Sequence, residues 1–357
     1  MWYKIGMKLP FMEQPSLHPE LVACPHCQQT GRIGIHSRAE RRFVCHACQR
    51  TFAESHGTPL HDLKYPVWVV VLVLTLLAHG CPVVAIVAAF LLDARTVLAW
   101  QSKAGTHAEQ VQAAVVCNGG VELGQVQADE LCVNTQQGKV WMATALSVFA
   151  RLFLWGEVSE HRDTPLLDKV FAKVRRAAQG VQPILVAVDG LAAYPKVILR
   201  HFADVVRSGK VGRPPRVPWA DLHIVQVVKH HSGRVLTAIE RRVVHGCRQR
   251  VDELIALSQC ELGRINTAFI ERLNATFRAR LPALARRTRN LAQGCARLRR
   301  EMFWSGAVYN FCTIHSTLGA TPTMAADLTD HVWSVRELLL FRPPAQKPAV
   351  QQLHAVV

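Results

Sequence analysis

Acid is scarce in this sequence. Its 357 residues carry 26 Asp and Glu against 42 Lys and Arg, for a formal charge of +16. The isoelectric point is about 9.8. A balance of that kind on a folded chain argues for a nucleic acid or an anionic membrane as partner, with a generic basic housekeeping protein as the plainer reading. An apolar leader is also missing: "MWYKIGMKLPFMEQPSLHPE" has no hydrophobic run and no cleavage-like site, so a cytoplasmic protein is expected. No internal repeat and no low-complexity block is present. A long unbroken hydrophobic run is lacking as well. The nearest approach, Pro66 to Ala94, is cut by "HGCP" at 79–82. Each piece is about a dozen residues, the length of a buried helix rather than a membrane span. The 11 Cys are an odd number, and outside a secretory context they do not suggest a disulfide framework.

What is present is a globular composition, 50% hydrophobic, long enough for two or three domains. Residues 1–20 read as a loose lead-in. Residues 21–54 carry paired cysteines. Residues 62–118 read as helical, with Asp93 as an N-cap and Gly105 as a C-cap of the third helix. From residue 121 the pattern changes to three strand-like runs, "GQVQADELCV", "KVWMATALSVFA" and "RLFLWGEVSEH". A helix ending at Gly180 comes next, then the buried strand "PILVAVDG", then a basic Pro-Gly loop at 208–220 and a further strand pair. Ile265 to Arg289 reads as one long helix, 301–341 as a helical C-terminal segment and 342–357 as a frayed tail. Three antiparallel-type strands, a helix, a fourth strand and later helices are the element order of an α/β, RNase H-like domain, here spanning 121–300. Fold alone does not give function.

Five constellations carry chemistry. Cys24, Cys27, Cys45 and Cys48 form C-x2-C-x17-C-x2-C, the spacing of a zinc ribbon in which two knuckles close a tetrahedral site. The segment 62–104 has a helix-turn-helix-like pattern. If so, its last helix presents Arg95, Thr96, Gln101 and Lys103 to DNA; a helical linker is the alternative. In "VQADEL", Asp129 and Glu130 sit inside an apolar strand. Strand neighbours face opposite sides, so Asp129 is taken as the site residue and Glu130 as facing away or toward solvent. Asp189 ends a strand too apolar to be exposed, a common ligand position in α/β sheets, although an Asp there can equally cap the next helix.

Glu271 stands at the head of a stretch crowded with Arg. Thr267, Asn274 and Arg278 share its helix face. A carboxylate there does not repel phosphate if a divalent cation lies between them; the plainer reading is a salt bridge within the helix. Three carboxylates from two strands and a helix suit Mg or Mn, and two such ions about 4 Å apart support phosphoryl transfer.

Taken together, "QADEL", "AVDG" and "NTAFIERLNATFRARLPALARRTR", followed by "YNFCTIHSTLGATPTMAA", resemble the DDE transposases of bacterial insertion sequences, most closely the insertion-sequence-1 family. The resemblance covers about residues 20–330 and is most specific over 266–326. It implies a zinc ribbon and a helix-turn-helix part ahead of an RNase H-like catalytic domain. It makes Asp129, Asp189 and Glu271 the catalytic, Mg-binding triad, Arg278 the basic residue two helical turns after the Glu, and the four Cys the zinc ligands. His315 and Pro322 fall in a trailing H-x-x-L-x-x-x-P segment read as structural support. The implied partner is double-stranded DNA, both element ends and target, bound by a nucleoid-associated homo-oligomer with no membrane association. Further DNA contacts are expected from Lys210, Arg213 and Arg216, in a loop that reads as flexible and basic but also resembles an AT-hook. Arg280, Arg286, Arg287 and Arg289 complete the set. Two rivals stay open: a zinc-ribbon regulator with an inactive catalytic-like half, and a metal-dependent nuclease or resolvase.

Overall fold

A computed structural model describes residues 16–206, 212, 214–233, 235–258, 263–286 and 288–343. Lys210, Arg213 and Arg287 lie outside the described residues, as do most of the expected lead-in and tail. The chain opens with three short antiparallel strands, β1 (Ile33–Ser37), β2 (Arg42–Cys45) and β3 (Thr51–Ala53). Three helices come next, α1 (Val67–Ala78), α2 (Val83–Phe90) and α3 (Ala94–Val111). Then come β4 (Gly124–Thr135), β5 (Gly138–Ser147), β6 (Leu152–Ser159), α4 (Thr164–Ala177), β7 (Ile184–Asp189) and α5 (Ala193–His201). A small ribbon of β8 (Ala203–Val205) and β9 (Arg216–Pro218) leads to the hairpin β10 (Leu222–Ser232) and β11 (Val235–His245). Helices α6 (Arg248–Leu257), α7 (Ala268–Arg280), α8 (Cys295–Ala307), α9 (Pro322–Ala325) and α10 (Val335–Leu340) complete the described chain.

The main sheet is mixed and has six strands in the order β11-β10-β7-β4-β5-β6. β4, β7 and β10 run parallel, and β5, β6 and β11 run antiparallel to their neighbours. β7 is buried until its last residue, as its continuous apolar run requires. One apolar cluster, from Leu60 to Leu339, joins α1 to α3, most of the sheet, and α7, α8 and α10. A second, smaller cluster seals α6 against β7 and β10.

The "HGCP" break has a packing reason. Gly80 takes φ +86°, and a Cβ there would come within 2.7 Å of the Ala279 carbonyl oxygen. The turn between α1 and α2 therefore rests directly on the end of α7. Trp304 Nε1 donates to the Leu74 carbonyl at 2.9 Å, locking α8 to α1. No helix among the described residues is long and apolar enough to cross a membrane.

Three sequence expectations need correction. Gly105 does not end its helix; α3 continues to Val111. Its missing side chain serves close packing instead, since a Cβ would collide with the Arg300 carbonyl of α8. Gln101, expected to face DNA, is buried on the same helix. The long helix expected over 265–289 stops at Arg280, because Pro282 bars the preceding residue from helical geometry. Asp93 does cap α3, its Oδ1 accepting from Arg95 N at 2.8 Å.

The three-stranded ribbon is moored to the far end of the chain. Glu54 pairs with Arg41 and Arg336, and Arg342 donates to the carbonyls of Glu54 and His56 at 2.7 and 3.1 Å.

The α3–α8 contact yields a test. Gly105→Ala should gain about 0.5–1 kcal/mol of helix propensity. Overpacking against a backbone carbonyl costs about 1–3 kcal/mol and should win. Denaturant unfolding is expected to show a net loss; a gain would mean the helices are not in such close contact.

Candidate functional site

The amino-terminal cluster is built by two knuckles of matching design. In the first, Gln28 N donates to Cys24 O at 2.8 Å and Cys24 N to Gln29 O at 2.9 Å. In the second, Gln49 N donates to Cys45 O at 2.8 Å and Cys45 N to Arg50 O at 2.9 Å. Gln28 and Gln49 both take left-handed φ, 60° and 59°. The four thiols lie within 4.8 Å of one another. Two Sγ–Sγ separations, Cys24 to Cys48 and Cys27 to Cys45, are 3.6 Å. Tetrahedral zinc with Zn–S bonds of about 2.3 Å sets its sulfurs roughly 3.8 Å apart, so the cluster fits one such ion. The Cys48 backbone N–H lowers the Cys45 thiol, while Cys27 is raised, against the pull of the Gln29 backbone, by burial and by the neighbouring thiols, so the four sulfurs share their protons unevenly.

The second cluster sits where β4 and β7 part. They pair in parallel from Gly124–Ile184 to Gln127–Ala187. That register, carried two residues on, sets Asp129 level with Asp189, the last residue of β7. Carboxyl ends of parallel strands are where α/β sheets open for ligands. Asp129, Glu130 and Asp189 each bring a carboxylate oxygen within 4.8 Å of the others. A cleft of about 530 Å³ is lined by Asp129, Asp189 and, from α7, Glu271.

Gln127 and Asn274 fix α7 over this cleft. Gln127, fully buried on the same strand face as Asp129, accepts from Phe269 N and Ile270 N at 3.0 Å each. It thereby satisfies two of the free N–H groups that open the helix. One turn past Glu271, Asn274 donates to Asp129 Oδ2 at 2.8 Å and accepts from Thr144 at 3.2 Å. Glu271 is held between these two anchors.

Cations hold the carboxylates together. Lys229 of β10 pairs with Glu271 Oε1 at 2.5 Å, and Thr267 donates to the same oxygen at 3.1 Å. The salt bridge is therefore to a neighbouring strand and not within the helix. Arg162, from the loop after β6, bridges Glu130 at 3.1 Å and Asp189 at 2.9 Å, with its guanidinium 5.1 Å from the Trp141 ring centre. The other oxygen of Asp189 accepts from Leu191 N at 2.9 Å within the turn after β7; α5 starts at Ala193 with Ala192 at its N-cap and no side-chain cap, so Asp189 does not cap the next helix.

Glu130 does turn to the opposite face from Asp129, but it does not reach solvent: its side chain is 0% exposed. The acid-rich group thus has Glu130 as a close member, while Glu271 faces the same cleft from α7. The buried Tyr194 hydroxyl of α5 lies against the Glu130 carboxylate and makes a hydrogen-bonding contact with it. Arg278 is exposed at the end of α7 and does not line the cleft. Arg95, Lys103, Arg216, Arg286 and Arg289 are exposed, Thr96 and Arg280 half-buried. Sequence reasoning missed Gln127, Arg162, Tyr194 and Lys229. Only the buried-looking polar Gln127 beside "ADE" gave any local signal.

No model of a known protein family matches the sequence, and no curated protein matches it. The site therefore has to be read from its own chemistry.

Burial raises the Asp129 carboxyl above its ordinary range, and the charges of Asp189 and Glu271 add to that. Burial, then Asp189, raises Glu130 likewise. A carboxyl raised in the folded state binds more protons folded than unfolded. Its ionisation therefore costs stability, progressively, as pH rises from the unfolded toward the folded value. At neutral pH in chelator, Asp129→Asn should raise the melting temperature by about 2–4 °C, the shift that ~1 kcal/mol gives a large domain. Mg added to the wild type should stabilise it, and should do so less in the variant. A lower melting temperature for the variant would show that Asp129 is held by attraction rather than repulsion.

Proposed function

We propose that this chain is a DNA-strand-transferring enzyme, a DDE transposase related to the insertion-sequence-1 family, built on an RNase H-like domain. The observation that carries the reading is the meeting of Asp129 and Asp189 on adjacent strands, just past the point where the parallel pairing of β4 and β7 ends, with Glu271 facing them from α7 across one cleft. The strand order β6-β5-β4-β7-β10, three antiparallel strands and then two parallel additions, is what an RNase H-like domain requires. The net charge of +16 suits a DNA substrate.

The donor set fits a hard divalent cation. Carboxylate oxygens from Asp129, Asp189 and Glu271 would hold Mg or Mn, and Glu130 offers a further carboxylate beside the two Asp. When bound, such ions supply charge stabilisation to the attacking and leaving oxygens of a phosphoryl transfer. The chain's own residues do the rest. Asn274 and Gln127 orient the carboxylates. Lys229 and Arg162 neutralise them in the absence of substrate and are within reach of a phosphate that enters the cleft. The four-cysteine ribbon and the exposed Arg95 and Lys103 of α3 supply DNA contacts away from the chemistry. Assembly as a homo-oligomer on paired DNA ends belongs to the same reading.

Glu271→Gln tests it. The exchange keeps shape but removes a metal-anchoring charge. Joining of a duplex carrying the inverted repeats that flank the gene should fall by at least about a thousandfold, roughly 4 kcal/mol. Gel-shift affinity for the same duplex should be kept or tighten. A variant that joins DNA at the wild-type rate would remove Glu271 from the site. A wild-type protein that cuts but never joins would favour a nuclease or resolvase.

A further inference from the structure

Helix α7 has two functional faces. Glu271 and Asn274 look into the carboxylate cleft. Phe269, Arg272, Thr276 and Arg280, spaced by three and four residues, lie on the other side and line a second cleft of about 260 Å³. Its remaining wall comes from the β5–β6 turn, with Arg151, and from the segment after α8, with Tyr309, Thr313 and His315. Three Arg and one His thus surround a space whose lining residues include no Asp or Glu.

Two of these groups, Arg280 and His315, are incompletely satisfied among the described residues. Arg280 Nη2 donates to Thr313 Oγ1 at 3.4 Å, and the guanidinium lies 5.8 Å from the Tyr309 ring centre. Its Nη1 is buried with no hydrogen-bond partner among the described residues, and so is Nδ1 of His315. Burial lowers the Arg280 pKa, and no carboxylate is among the groups acting on it. Burial lowers His315 too, followed by the charges of Arg151 and Arg272, which places all three within electrostatic reach of one another. A guanidinium donor buried without a partner is costly unless an anion meets it. Forked Arg donors with a His beside them match the tetrahedral oxygens of a phosphate.

We propose that this cleft, formed by Arg151, Arg272, Arg280 and His315, binds a phosphate group of a DNA strand at a site separate from the carboxylate cluster. The phosphate chemistry stands on the cleft itself; DNA as its source rests on the function proposed above. The assignment gives His315 a role as a ligand-facing side chain rather than as support alone. Because α7 carries both clefts, a strand held here would be registered against the carboxylates through one rigid helix.

The test is the salt dependence of duplex binding, measured by anisotropy in chelator so that neither metal nor strand joining enters. Arg272→Gln is the informative variant, since Arg272 is exposed and its loss should leave the melting temperature unchanged. The slope of log K against log salt should become shallower by about 1, the value for one lost phosphate contact. Arg272→Lys should restore it. In parallel, the ring resonances of His315 are followed by NMR in the wild type. Both inorganic phosphate and the duplex should move them saturably, and phosphate should compete with the duplex. An unchanged slope in Arg272→Gln overturns the proposal. A His315 response to inorganic phosphate but none to the duplex overturns DNA as the occupant and leaves a site for a small phosphate. Either failure leaves the transposase reading to the joining assay on Glu271→Gln, so the two can fail separately.

Discussion

Carboxylates gathered at one end of a buried sheet repel one another, and the architecture around them depends on how that repulsion is contained. Asp129, Glu130 and Asp189 are set together by strand register, which no side-chain motion can relax. Arg162 compensates Glu130 and Asp189 from outside their strands, Lys229 compensates Glu271, and Asp129 is held by a neutral donor, Asn274. The arrangement is costly by design: burial raises two of the carboxyls when a well-solvated position would have left them ionised at no expense. A fold that keeps such a cluster has a use for it that stability does not explain, as functional sites commonly do.

The N-terminal parts are joined to that centre by close packing. The α1–α2 turn rests on the last residues of α7 through Gly80, and α3 crosses α8 through Gly105. The cysteine ribbon is tied through Glu54 to Arg336 and Arg342 near the end of the described chain. His107 of α3 in turn hydrogen-bonds the Leu338 carbonyl at 3.0 Å. A load on the ribbon or on α3 has a continuous packed route to the helix that carries Glu271.

Much of this was legible in the sequence where the signal is local. The strands β4 to β7 are readable from their apolar runs, and Asp129 and Asp189 stood out because they interrupt or end such runs. The cysteine knuckles are readable from spacing alone. Glu271 was legible only through its Arg-rich surroundings and the family resemblance, and its true partner, Lys229, lies 42 residues away. Arg162, Gln127 and Tyr194 act through contacts between distant segments, which no periodicity encodes. The two helix-end errors have opposite causes. Gly105 looks like a stop because glycine usually is one, yet here it makes room for α8. Pro282 is a stop, but the periodic Arg beyond it masked the break.

If the carboxylates where β4 and β7 part form a divalent-metal site, Mn should occupy it. Anomalous diffraction from crystals soaked in Mn tests this most directly. A peak is expected within about 2.0–2.3 Å of oxygens from both Asp129 and Asp189, with Arg162 withdrawn from Asp189. Crystals at saturating Mn that show no peak there, with Arg162 still bridging Glu130 and Asp189, would contradict it.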